Sequence, residues 1–95
     1  MDFETSLRRA IKSGAVVNGQ KETRNCIEEG KAQIVIVAKN CPGEFITYLN
    51  EKDVFVHTYD GSSMQLGKTC GKPFMVSALA VVDAGESDIL TLKRV

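Results

Sequence analysis

The sequence predicts an α/β protein, a three-layer α/β/α sandwich with a central mixed sheet of about four strands. One domain spans residues 1–95. Three observations carry this expectation. Helical and strand-like hydrophobic periods alternate along the chain. Two segments, "AQIVIVAKN" and "FMVSALAVVD", hold continuous apolar runs, as strands covered on both faces do. Gly, Pro, Asn and Asp fall between the periodic segments and leave only short connections.

Residues 2–13, "DFETSLRRAIKS", place Phe3, Leu7, Ala10 and Ile11 at helical spacing, with Gly14 as the stop. "AVVN" is a short strand. Asn18 or Gly19 caps the next helix, Glu22 follows in its first turn, and Gly30 ends it. In that helix Thr23, Cys26 and Ile27 share the inner face, while Lys21, Arg24 and Glu28 face water. "AQIVIVAKN" is the first fully covered strand. "CPGEFITYLNEK" is a shorter helix with Pro42 near its start.

"DVFVHTY" is a third strand. In "DGSSMQLGKTCGKP", Ser62 with Gln65 three residues on forms a capping box, and Gly71 with Pro73 supplies the stop. "FMVSALAVVD" is the second long strand, "AGES" a turn, and "DILTLKRV" a last short strand or tail. In open α/β sheets ligands bind beyond the carboxyl ends of strands. That rule points to the loops after Asn18, Lys39 and Val82.

The balance of 12 basic and 12 acidic residues argues against indiscriminate coating of nucleic acid. The charges are unevenly spread. Residues 8–24 carry Arg8, Arg9, Lys12, Lys21 and Arg24 against Glu22 alone, a basic corner able to bind phosphate locally. No signal peptide and no bilayer-spanning run is read in the chain. Cys26, Cys41 and Cys70 are widely spaced and form no metal or redox motif, so free thiols in a reducing cytosol are expected. Neither a P-loop nor a dinucleotide fingerprint is present, and no carboxylate pair or nucleophile motif indicates catalysis. The expectation is a non-enzymatic protein with no metal and no cofactor.

One local rule is broken. Lys21 and Arg24 sit at a helix N-terminus, where the backbone dipole already presents positive charge. An external anion at that helix start resolves the conflict, with Gly19 allowing close backbone approach. An ordinary capped helix with a solvated lysine is the plainer alternative. Asn40, at the end of a covered strand, reads either as a turn residue or as an amide offering donor and acceptor to a base edge. Phe74 reads as core packing or as a stacking surface for an unpaired base. His57, alone on its strand, reads as structural.

Taken together, "VVNGQKETRNCIEEGKAQIVIVAKNCP" and "QLGKTCGKPFMVSALAVVDAGESDIL" resemble the L-thirty-e family of archaeal and eukaryotic large-subunit ribosomal proteins. That family lies within the kink-turn-binding superfamily. The order L-G, G-K-P-F, V-S-A-L, V-D-A-G-E-S is the more specific part, and the resemblance runs through essentially the whole chain. The short N-terminus is similar to the archaeal members.

The resemblance implies RNA binding by three neighbouring segments. These are Gly19 and Lys21 with Gln20, Thr23 and Arg24; Asn40; and Phe74 with Met75 and Val76. It alone brings the segment from Gly71 to Val76 to the site. In the expected mechanism the helix start and its cations offset bent-backbone phosphates. Asn40 reads a base edge, and Phe74 with Val76 packs on an extruded base.

The implied partners are ribosomal RNA and other large-subunit components, in the cytoplasm. No membrane is involved, and the protein is expected to be a monomer in isolation. Between Pro42 and Val54 the chain is about one helical turn shorter than the family pattern, and Glu44 and Glu51 stand in a region where basic contacts are usual. Three alternatives stay open: a kink-turn protein of a non-ribosomal particle or regulatory RNA, a phosphate-ligand enzyme, and a protein-interaction module.

Overall fold

The computed structural model describes residues 3–52 and 54–85. Eight elements follow one another: α1 (Phe3–Ser13), β1 (Ala15–Asn18), α2 (Gln20–Glu28), β2 (Ile34–Ala38), α3 (Gly43–Asn50), β3 (Val56–Tyr59), α4 (Ser63–Thr69) and β4 (Ala78–Asp83). The expected last strand or tail at residues 88–95 lies outside the described residues.

The four strands form one sheet in the order β1-β4-β2-β3. β2 and β3 are parallel, and β4 runs antiparallel to both β1 and β2. The sheet is therefore mixed, as the sequence predicts. Successive β2 side chains point to opposite faces, and all five are buried. Ile34, Ile36 and Ala38 pack with Leu7 and Ala10 of α1 and Leu66 of α4. Val35 and Val37 pack with Phe45 and Leu49 of α3 and with Cys26 and Ile27 of α2. Helices thus cover both faces, which explains the unbroken apolar run.

Two local expectations hold in detail. Ser62 caps α4 through the Gln65 amide, and the Gln65 side chain accepts from the Ser62 amide at 2.9 Å. Gly19 is the N-cap of α2, and Pro42 is the N-cap of α3.

Others are corrected. Gly14 does not end α1 in the left-handed region; a Cβ there would lie 1.9 Å from the Asp83 carbonyl oxygen. Its missing side chain lets two backbones approach. "FMVSALAVVD" is not one strand, because β4 begins only at Ala78. The Val76 amide donates to the Ser63 carbonyl at 3.0 Å rather than to the sheet. The Phe74 carbonyl lies where a Cβ on Gly67 would be, at 2.1 Å. Residues 74–76 are therefore drawn onto α4 before the chain enters the ladder.

Candidate nucleic-acid interface

Strand direction assembles the candidate site. β1 and β2 both run against β4, so their carboxyl ends meet its beginning. Asn18 pairs with Leu79, while Ala15 pairs with Asp83. The loop after Val82 is therefore at the far end of the sheet, and its expected place among the ligand loops is corrected. The segment before β4 takes that place.

Backbone hydrogen bonds stitch the three segments together. The Gly19 amide donates to the Ala78 carbonyl at 2.8 Å, and the Ala38 amide donates to the Ser77 carbonyl at 2.8 Å. The Ser63 amide donates to Asn40 Oδ1 at 2.8 Å, and the Ser63 carbonyl accepts from Val76. Gly19, Asn40 and the segment from Phe74 to Val76 thus share one edge of the sandwich.

At the first of these, Gly19 has φ of 97° and ψ of 156°, a conformation open to glycine. No side chain caps α2, and a Cβ on Gly19 would meet nothing within 4 Å. The first intrahelical bond runs from the Thr23 amide to the Gly19 carbonyl. The preceding amides are the unpaired donors of a helix start. Gln20 is half-buried, and Lys21 and Arg24 are exposed one helical turn apart on one side. Thr23 is fully buried against the sheet, with no hydrogen-bond partner for its hydroxyl among the described residues. Its side chain faces away from a ligand on the surface.

At the second, Asn40 is exposed, and its amide is oriented by chemistry. A backbone N–H can only donate, so Oδ1 faces Ser63 and the Nδ2 hydrogens are left for a ligand. That bond fixes which way the amide points, with both Nδ2 hydrogens and the second lone pair of Oδ1 still available.

At the third, Phe74 is 57% exposed and Met75 62%. With Met64, Lys68, Lys72 and Pro73 they line an open cleft of about 300 Å³. Val76 is 1% exposed and belongs to the core, so the expected packing of its side chain on a base is corrected. It anchors the two exposed residues instead. Met64 and Lys68, one turn apart on α4, are not singled out by sequence reasoning. Their helical spacing is the only local signal, and it does not show that Phe74 lies beside them.

The remaining chemistry is structural. His57 stacks on Phe3 with centroids 5.1 Å apart, and burial lowers its pKa. Burial raises the Cys26 and Cys41 thiols and pushes Cys70 up to about 11, so all three free thiols are poor nucleophiles near neutrality. Among the described residues no cluster of His, Cys, Asp and Glu could hold a metal, and no helix is long and apolar enough to cross a membrane.

Residues 1–91 match the Ribosomal protein L7Ae/L30e/S12e/Gadd45 family. The chain belongs to that family. Its relatives include the "Large ribosomal subunit protein eL30" of Methanosphaerula palustris, 66% identical over 95 residues and 99% of each chain. The protein of the same name from Methanospirillum hungatei is 62% identical over 99% of this chain and 100% of its own. That of Methanosarcina mazei is 43% identical over 95% of this chain and 87% of its own. These L7Ae/L30e-family relatives are archaeal ribosomal proteins, not enzymes. A solved protein of unknown function from Bacillus halodurans shares the fold, with a TM-score of 0.81 at 21% identity over 96% of this chain and 94% of that one.

Proposed function

We propose that this protein is a structural constituent of the large ribosomal subunit and binds a kink-turn in ribosomal RNA. The carrying observation is the stitched edge, where an uncapped helix start, an outward amide donor and an exposed aromatic meet. Each suits a different part of a sharply bent RNA. The bend crowds phosphates, which the α2 amides with Lys21 and Arg24 offset. Asn40 Nδ2 donates to an acceptor on a base edge. Phe74, flanked by Met75, gives an extruded base an apolar face.

The other side chains act indirectly. Thr23 and Val76 hold the helix and the loop in place, and Gly19 with Gln20 forms the turn the backbone approaches. Zero net charge suits recognition by local shape better than broad attraction. In this reading the protein is a cytoplasmic monomer until it meets the RNA and its neighbours in the subunit.

The test is a titration of the protein into a kink-turn RNA at two salt concentrations. The control RNA carries Watson–Crick pairs in place of its sheared G·A pairs. Tight binding to the first and weak binding to the second is expected. Equal binding to both, collapsing with salt, would leave only a sticky basic corner.

A further inference from the structure

Arg24 is half of a contact between α2 and α3. Its guanidinium lies over the Tyr48 ring, 4.5 Å from the centroid. Tyr48 is itself fixed. Its hydroxyl donates to Glu28 Oε1, and its ring stacks on the buried Phe45 at 5.9 Å. Lys52 Nζ pairs with the same Glu28 oxygen at 3.1 Å.

Glu28 stands four residues after Arg24 on α2, where the two would ordinarily form an ion pair. They do not: among the described residues no carboxylate lies within 4 Å of the Arg24 guanidinium. The Tyr48 hydroxyl and Lys52 occupy Glu28, and Arg24 takes the Tyr48 ring, which Lys52 Nζ also approaches, to 5.2 Å from the centroid against 4.5 Å for the guanidinium. A stacked guanidinium keeps its N–H donors free at the rim of the plane, in the fork that suits phosphate. Arg24 also lies one turn beyond Lys21 on the exposed side of the helix.

We infer that Tyr48 is a positioning residue for RNA: it stacks Arg24, holds Glu28 away from it, and so keeps the guanidinium free for a backbone phosphate. The inference rests on the RNA-binding reading above and adds α3 to it without a base or phosphate contact from α3 itself. It also assigns Glu28 a definite part, as the carboxylate that the Tyr48 hydroxyl and Lys52 together keep from pairing with Arg24.

The experiment is a double-mutant cycle on kink-turn affinity, with folding checked by circular dichroism. Arg24→Ala should weaken binding and lower the log–log salt slope by about 0.7–0.9, one phosphate contact. Tyr48→Leu should weaken binding by about two- to fivefold, the scale of an exposed cation–π contact, while largely keeping the salt slope because the charge remains. Tyr48→Phe keeps the ring and the Phe45 stack, so it serves where Tyr48→Leu fails to fold. It should weaken binding too, but less than Tyr48→Leu, because Glu28 loses one of its two partners and keeps Lys52.

Neither Tyr48 variant should have any further effect in the Arg24→Ala background. Equal losses with and without Arg24, or no loss in either Tyr48 variant, would overturn the inference. Unchanged affinity and slope in Arg24→Ala would also overturn it, and a slope still lowered by Lys21→Ala would show the RNA reading standing alone. Failure of the unaltered protein to prefer the kink-turn RNA would remove both.

Discussion

At one end of the sheet β4 runs out beside the exit of α1; at the other it begins between the ends of β1 and β2. The first end is closed by backbone. A Cβ on Gly14 would strike the Asp83 carbonyl, and one on Gly85 would lie 2.5 Å from the Ser13 carbonyl carbon. The Gly85 amide is also satisfied, by Asp83 Oδ1 at 2.9 Å. The second end is open. Gly19 has empty space where a Cβ would be, and Phe74, Met75 and Met64 are all more than half exposed. Backbone packed on backbone holds the fold shut, whereas uncapped amides and uncovered apolar side chains are costly for the free protein and useful to a ligand. Stability and binding should therefore separate along the length of one sheet.

The largest expected effect is at the closed end. Gly14→Ala forces a Cβ into a backbone carbonyl that no rotamer change can relieve, so destabilisation of about 3 kcal/mol, the upper part of the overpacking range, is expected. In a domain of this size each kcal/mol lowers the melting temperature by roughly 4–8 °C. RNA affinity of the molecules that remain folded should not change. A melting temperature equal to that of the unaltered protein would show that the two backbones are not in contact.

Phe74→Ala is the mirror experiment at the open end. Loss of a base-stacking face should cost about 1–3 kcal/mol of RNA affinity. Stability should stay within about 0.5 kcal/mol, as for other exposed substitutions. If the variant instead melts early, the aromatic belongs to the core and the two ends do not differ as described.

The contrast also marks how far local sequence reasoning reaches. β2 and most of β4 are legible because a β-branched apolar run has few other uses, and the Ser62–Gln65 box is legible because capping is a four-residue affair. Lys21 and Arg24 stand out because they break a rule of helix electrostatics. What is not legible depends on partners distant in sequence. Gly14 and Gly67 look like ordinary helix glycines until the Asp83 and Phe74 carbonyls are placed against them. The direction of β4 decides that Phe74, not the turn after Val82, joins Asn18 and Asn40, and no local period encodes direction. Tyr48 carries no signal at all, since its meaning lies in Arg24 and Glu28 on another helix.

The smallest expected effect lies beneath the open end. Cys70 caps the end of α4, 7% exposed, below the loop that carries Phe74. Burial raises its pKa from 9.0 to about 11, against the opposing pull of the Lys72 charge. The folded protein thus holds the thiol proton more tightly than the unfolded chain. The resulting stabilisation is fully present below about pH 9 and is lost as pH rises through about 11. Other groups titrate in that window, so the readout is a difference. The unaltered protein should lose stability between pH 9 and 11 more steeply than Cys70→Ala, while both bind RNA alike at neutral pH. Parallel stability curves would mean that water reaches the thiol. The open end would then extend below Phe74 into the helix that supports it.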